Sequence, residues 1–388
     1  MEIKNKRVFL RADFNVPIQG GIVKDDYRIK TTIDTLKILR DGSNKTLLIS
    51  HIETKDVEKP TLKPVFEYLK NNFTDFTFHF LENVGCLDDI KNAFEGIKEG
   101  EFLLLENIRN LSGEKDNDIE LANFFHSITD FYINDAFAVS HRNHMSVSAL
   151  PKIFTRENKM FGVQMQKEID NLSKIINPNT PVAVILSGAK FSTKLPLIQK
   201  YLNTADNIFI GGALYNNILK SLGYNVGSSL IDKDASYIDE MIKTDNFKNK
   251  VYISEYVVVK DINTGEIKIK NIKEVSGSET IQDIDNQSID EFVNTIKNKN
   301  AQTIIWNGPL GNYEIDVFKK GTRFLAEELI KFVNESSASL YIGGGDTVAA
   351  INDMNIINNK IFVSTGGGAM LEFLEKDGKI PGVVNVTI

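Results

Sequence analysis

Residues 338–351 read ASLYIGGGDTVAAI, and residues 360–374 read KIFVSTGGGAMLEFL. Each places a short apolar run, three glycines and an apolar-periodic segment in that order, which spells strand, tight turn and helix twice in succession. Glycine lets the backbone adopt positive φ and approach a ligand without Cβ strain. A helix starting just after such a turn directs free N–H groups and the positive end of its dipole into it. That arrangement favours an anion, most often phosphate. Two such turns on consecutive strands of one parallel sheet are a stronger signal than one. The blander reading is a pair of tight turns with no ligand. Asp346 follows the first triplet, where a carboxylate caps the helix or holds Mg²⁺ beside phosphates.

Outward from these turns the chain keeps alternating. Strands are expected at 7–11, 46–50, 76–80, 102–106 and 130–134, with helices at 31–40, 62–71, 87–98 and 118–127. A second series has strands at 182–186, 207–210 and 303–306 ahead of the two glycine turns. Such alternation predicts an α/β fold with parallel sheets covered on both faces, whose ligands sit off the carboxyl ends of the strands. Asp13, Asn15, His51, Arg109 and Arg142 all follow strand ends. Pro151, Pro178 and Pro181 bracket a polar helical stretch, 164–176, read as the connection between two domains and a hinge element. Residues 251–271 read as a β-hairpin turning at Asn263-Thr264-Gly265. The short apolar tail after Gly378 is expected to pack back on the first domain.

At 388 residues the chain favours two domains, and its 42% apolar content supplies ordinary cores. A net charge of −7 without basic blocks argues against nucleic acid as the main partner. Cys86 is the single cysteine, which fits a reducing cytosol and excludes a disulfide framework. The N-terminal stretch has no apolar segment of a signal peptide, and no run reaches the length of a membrane span, so a cytoplasmic location without membrane attachment is expected.

Lysine outnumbers arginine 37 to 8, so the arginines are informative, since guanidinium grips phosphate and carboxylate with a fork that lysine lacks. Arg11, Arg28, Arg109 and Arg142 lie in stretches that look like site loops, whereas Arg7, Arg40, Arg156 and Arg323 read as surface charges. Alternatively, Arg109 and Arg142 pair with Glu106 and Asp135. His51, His141 and His144 are too scattered for a metal site, and Trp306 reads as packing. Lys190 and Lys194 occupy another glycine-containing turn, SGAKFSTK, and taken alone read equally as a solvated helix face. Neither GxxxxGK[ST] nor GxGxxG is present, so nucleotide binding rests on several loops together, and a dinucleotide-dependent dehydrogenase is disfavoured.

The order RADFNVP, DDYRI, SH, LLENIR, INDAF…HR, SGAKFSTK, IGGA, WNGPLG…E, IGGGDT and VSTGGGAMLEFLE…IPGV resembles the phosphoglycerate kinase family over nearly the whole chain. The resemblance implies two Rossmann-like domains joined by a hinge helix. Residues 1–162 with the tail 375–388 would bind phosphoglycerate, 163–180 would form the hinge helix, and 181–374 would bind nucleotide. It implies reversible Mg²⁺-dependent phosphoryl transfer from 1,3-bisphosphoglycerate to ADP, giving 3-phosphoglycerate and ATP, by a cytoplasmic monomer of glycolysis and gluconeogenesis. Asp13, Asn15, Arg28, His51, Arg109 and Arg142 would hold the phosphoglycerate. Lys190, Lys194, Gly211, Gly212, Asn307, Glu314, Gly343, Gly344, Gly345, Asp346 and Thr347 would hold the nucleotide, with Asp346 on the metal. Arg28, Lys194, Gly345 and Gly368 would act in the transfer.

The chain departs from the family pattern in places. Ser-His-Leu-Gly-Arg-Pro is usual after the second strand, and Ser50-His51-Ile52-Glu53-Thr54-Lys55 stands here. Thr54 replaces an arginine beside the acidic Glu53, which predicts a weaker hold on phosphoglycerate, partly offset by Lys55. This stretch alone favours the alternative of a non-catalytic nucleotide-binding relative acting as scaffold or regulator.

Overall fold

The apolar runs of this chain are buried along nearly their whole length, as strands covered on both faces must be. The computed structural model describes residues 3–53, 59–189, 193–232, 236–351, 353–354, 356 and 358–387. It divides into two units, Met1–Asp170 with Gly378–Ile388, and Asn171–Asp377. Thr54, Lys55 and Lys190 lie outside the described residues.

In the first unit, strands β1 (Arg7–Arg11), β2 (Lys45–Ile49), β3 (Phe78–Leu81), β4 (Phe102–Leu105), β5 (Phe131–Asn134) and β6 (Lys159–Phe161) form one sheet, ordered β3-β4-β2-β1-β5-β6. Every pairing is parallel. Successive side chains point to opposite faces, and the cores follow that alternation. Val8, Leu10, Leu48, Leu104 and Ile133 pack with Leu36 and Leu39 of helix α1 (Tyr27–Asp41) and with Val65 and Leu69 of α2 (Lys63–Asn72). Phe9, Leu47, Leu103, Leu105 and Tyr132 pack with Ile90 and Phe94 of α3 (Leu87–Gly96) and with Leu121 and Phe125 of α4 (Ile119–Ile128). The strand order reverses between β1 and β5, which opens a crevice at their carboxyl ends. Strand β6 was not expected, because three residues are too few to show a period.

Helix α5 (Val163–Lys174) contains the boundary between the units. Its first turn is fastened by the buried Asp135, which accepts from Thr35 Oγ1 at 2.7 Å and Met165 N at 2.9 Å, while Thr35 Oγ1 accepts from Val163 N at 2.9 Å. These bonds satisfy N–H groups that a helix start leaves free.

The second unit repeats the plan. Its strands are β7 (Val182–Leu186), β8 (Asn207–Ile210), β9 (Val251–Tyr252), β10 (Tyr256–Asp261), β11 (Ile267–Asn271), β12 (Glu279–Ile284), β13 (Thr303–Asn307), β14 (Ser339–Gly343) and β15 (Ile361–Val363). The parallel sheet runs β9-β8-β7-β13-β14-β15 and reverses between β7 and β13. Its helices include α6 (Leu195–Thr204), α7 (Gly212–Ser221), α8 (Asn286–Asn298), α9 (Lys320–Glu335), α10 (Gly345–Ile351) and α11 (Gly367–Glu375). Ile185, Ile304, Trp306 and Ile342 pack with Phe292 and Ile296 of α8 and Leu325 and Leu329 of α9. Trp306 is fully buried and its indole N–H donates to Gly308 O at 2.8 Å, a packing role. The expected hairpin begins only at Tyr256 and gains a third strand, in the order β11-β10-β12. Val251 and Tyr252 belong instead to the parallel sheet, a correction that two residues could not announce.

The tail helix α12 (Pro381–Thr387) belongs to the first unit. Asn134 Nδ2 donates to Gly382 O at 3.0 Å, Gly382 N donates to Ser140 O at 2.7 Å, and Val386 joins the core.

Asp135→Ala strands the Thr35 hydroxyl and the N–H of Met165 in a buried setting. Urea unfolding is expected to show a loss of about 2–4 kcal/mol. A change below about 0.5 kcal/mol would mean that water replaces the carboxylate.

Candidate functional site

The crevice of the first unit is floored by a charge. Arg11 ends β1 fully buried, with Nε donating to Ser146 Oγ at 3.0 Å, Nη1 to Ala12 O at 2.6 Å, and Nη2 lying 3.4 Å from His51 Nδ1. It is the last residue of the strand expected at 7–11. The buried Glu114 accepts from Ser146 Oγ at 2.7 Å and Ser146 N at 3.0 Å and lies 3.9 Å from His144 Nδ1. Sequence reading missed Glu114 and Ser146, since a glutamate in a polar stretch gives no sign of burial.

Above this floor stand the expected residues. Arg28, in the first turn of α1, reaches Asp13 Oδ2 at 3.0 Å and Asn15 O at 3.4 Å. Asn15 Oδ1 accepts from Glu53 N at 2.9 Å. Arg109 sits on a one-turn 3₁₀ helix, Ile108–Asn110, that the Asn107 side chain caps by accepting from Arg109 N at 3.2 Å. Its guanidinium pairs with Glu53. The alternative partners are engaged elsewhere. Glu106 accepts from Thr61 Oγ1 and from Leu62 N and Asn107 N, both at 2.7 Å, and Asp135 is spent on α5. Arg142 is exposed after the short Phe137–Val139 turn.

Burial and then these cations set the protonation of both histidines. Burial, then Arg11, Arg109 and Arg28, hold the His51 imidazole well below its ordinary value. Burial, then Arg109, Arg11 and Arg142, push His144 down to about 4. Burial and the neighbouring Arg11 and Arg142 lower Arg109 itself to about 10. Both imidazoles are neutral at pH 7, and the cradle is set to take an anion with several charges.

In the second unit the strand ends come together through absent side chains. A Cβ on Gly308 would collide with the backbone of Ser187, and Gly344 takes φ +101°. A Cβ on Gly367 would lie 3.3 Å from Gly345 N, so the two triple-glycine turns abut. Thr347 Oγ1 ties β13 to β14, accepting from Gly308 N at 2.7 Å and donating to Gly343 O at 3.0 Å. Gly211 N donates to Leu186 O at 3.1 Å and Gly212 N to Leu310 O at 2.8 Å, which brings that turn beside the same strand ends. Gly345, at the start of α10, faces open space, and Gly368 is exposed in the first turn of α11.

Lys194 is buried and its ammonium donates to Asn307 Oδ1. Asn307 Nδ2 is buried with no partner among the described residues, and it lies beside Gly344, where a Cβ would be 3.4 Å away. An orphaned donor there fits an acceptor oxygen of a ligand. Asp346 is exposed, and its Oδ1 accepts from Tyr313 OH at 2.9 Å; Tyr313 is a third residue that sequence reading missed. Glu314 is exposed next to it. Among the described residues no three His, Cys, Asp or Glu side chains gather as a metal cage. A single carboxylate beside phosphates is nonetheless how Mg²⁺ is commonly held, the substrate supplying further oxygens. No helix among the described residues is long and apolar enough to cross a membrane.

The family model described as phosphoglycerate kinase matches residues 1–377. The chain belongs to the phosphoglycerate kinase family. It is 37% identical to the phosphoglycerate kinase of Sulfurimonas denitrificans over 402 aligned positions, covering 100% of this chain and 97% of that one. It is likewise 37% identical to that of Pseudothermotoga lettingae over 397 positions, with the same coverage. The structure of phosphoglycerate kinase from Coxiella burnetii superposes with a TM-score of 0.79 at 30% identity, covering 100% of this chain and 97% of the other. That of the Pyrococcus horikoshii enzyme shares the fold at a TM-score of 0.85, with 24% identity and the same coverage.

Burial pushes the Lys194 ammonium down to about 8, opposed by Asp346. Above that pH the side chain loses its charge, which would remove a partner for a bound phosphate. ADP affinity, followed by calorimetry, is expected to fall as pH rises through about 8, and Lys194→Gln to weaken binding at pH 7 and flatten that fall. An unchanged pH profile in the variant would assign the fall to another group.

Proposed function

We propose that this chain is an active phosphoglycerate kinase, catalysing Mg²⁺-dependent phosphoryl transfer from 1,3-bisphosphoglycerate to ADP to give 3-phosphoglycerate and ATP, reversibly. The observation that carries the reading is the convergence of Arg11, Arg28, Arg109 and Arg142 on His51 and His144, whose imidazoles burial and then these cations hold neutral. An anionic three-carbon phosphate matches such a cradle. A glycine-walled crevice with Lys194 and an orphaned Asn307 amide matches a polyphosphate.

The chemistry needs no covalent nucleophile. An oxygen of the ADP β-phosphate takes the phosphoryl group as its bond to the carboxylate oxygen of 1,3-bisphosphoglycerate breaks, and the departing carboxylate needs no proton. What remains is in-line positioning and neutralisation of the equatorial oxygens. Arg28, held by Asp13 and Asn15, supplies fixed positive charge on the phosphoglycerate side. Lys194 and the amides of the turns at Gly345 and Gly368 supply it on the nucleotide side. Asp346 would hold Mg²⁺, which when bound adds charge against the nucleotide phosphates. The substrates would bind on different units, so closure about α5 is the step that brings them together and excludes water, protecting the acyl phosphate from hydrolysis. A cytoplasmic monomer acting in glycolysis and gluconeogenesis is the setting this reading implies.

A coupled assay with 3-phosphoglycerate, MgATP and a dehydrogenase read-out tests it, and absence of turnover would leave a nucleotide-binding scaffold. Arg28→Ala is expected to lower kcat on the order of 10²-fold or more with little change in KM for nucleotide. Near-parental kcat would remove Arg28 from the transfer.

Asp346→Ala is expected to weaken MgADP binding while calorimetric binding of 3-phosphoglycerate stays unchanged. Equal loss of both would make the carboxylate a structural cap.

A further inference from the structure

Arg109 has a different kind of partner from Arg11 and Arg28. Arg11 is met by buried neighbours and Arg28 by the buried Asp13. Arg109, with only 10% of its side chain exposed, is met by Glu53, whose side chain is 62% exposed. Its Nε is buried and has no partner among the described residues. Among the described residues Glu53 is tethered through its backbone. Its backbone N–H donates to Asn15 Oδ1 at 2.9 Å, which fixes the residue at the rim of the cradle. Its carboxylate stays in water and reaches inward to the guanidinium.

We propose that Glu53 is an internal competing anion, which occupies the Arg109 guanidinium in the empty cradle and is displaced by the phosphate of the bound phosphoglycerate. An ion pair with its carboxylate in water is weaker than a fully buried one, because water screens it and holding a long side chain costs entropy. A phosphate at neutral pH carries more charge than a carboxylate and offers three acceptor oxygens. It therefore displaces Glu53, whereas a singly charged anion competes on equal terms and gains little. Glu53 thus sets both the affinity of the cradle and a charge threshold for entry. Breaking the pair to admit substrate weakens binding, so the carboxylate acts through Arg109 as a positioning and selectivity residue, without touching the reacting atoms. This inference rests on reading the arginine cradle as the phosphoglycerate site.

The test uses the full chain and its variants Glu53→Gln, Arg109→Ala and the double variant. Glu53→Gln removes the charge and keeps the shape. It is expected to lower KM for 3-phosphoglycerate about three- to tenfold, with KM for MgATP unchanged. Calorimetry of 3-phosphoglycerate with all four proteins should give the same gain for Glu53→Gln alone and none in the Arg109→Ala background, the non-additivity of a direct pair. Glu53→Asp, which retains the charge, should stay closer to the parent than Glu53→Gln does. A KM change under about twofold overturns the proposal, as does a gain that persists without Arg109, which would be a general field effect. Binding of inorganic phosphate separates this failure from that of the functional reading. If the parent neither binds nor turns over 3-phosphoglycerate, the reading fails, while tighter phosphate binding by Glu53→Gln would still support displacement at Arg109.

Discussion

Like charges crowded into a crevice repel one another, and the first unit depends on how that repulsion is contained. Arg11, Arg28, Arg109 and Arg142 act on one pair of histidines. Two are held by buried acceptors: Asp13 directly on Arg28, and Glu114 on Arg11 by way of Ser146. Removing either acceptor would leave an arginine of the crevice without its counter-charge, so Asp13 and Glu114 belong to the scaffold as much as to the site. Arg109 has an exposed partner of the kind that contributes about 0–1 kcal/mol. The cradle is therefore graded, rigid at its floor and yielding at its rim.

The second unit, under the proposed function, would hold an anion at its strand ends with almost no side-chain charge. The strand ends approach until only glycine fits, as at Gly308 against Ser187. Backbone amides then line the wall, and Lys194 is the one buried cation among its expected binding residues that the structure describes. Burial has lowered that lysine toward neutrality, so a phosphate bound beside it would favour its charged form. Amide dipoles carry no such liability, since they do not titrate. The two units divide the work between charge that is caged and dipoles that are fixed.

Much of this was legible in the residues because it follows from strong local rules. Apolar runs at 7–11, 182–186 and 207–210 and the helix before Arg40 are set by periodicity and burial. The triple-glycine turns at 343–345 and 366–368 announce themselves because few other purposes need three glycines together. What stayed hidden depended on partners distant in sequence. Glu114 lies in a stretch that reads as solvated, and only its meeting with Ser146 makes it internal. The strand Lys159–Phe161 exists because Tyr132, Ile133 and Asn134 are there to pair with it. The pairing of Arg109 with Glu53 rather than Glu106 turns on Thr61 and Leu62 having already engaged Glu106. Sequence spacing carries no record of such prior engagement.

The tail helix has a consequence for the order of assembly. Asn134 closes its hydrogen bond on Gly382 across 248 positions, and Val386 completes a core begun at Phe9. The second unit is thus an insertion within the first: its residues are contiguous, and those of the first are not. As the chain is synthesised, the second unit has all its residues while the first still lacks its closing helix. Long separations slow closure, because loop entropy must be overcome before the contact returns anything. The half that begins the chain is the half that finishes last.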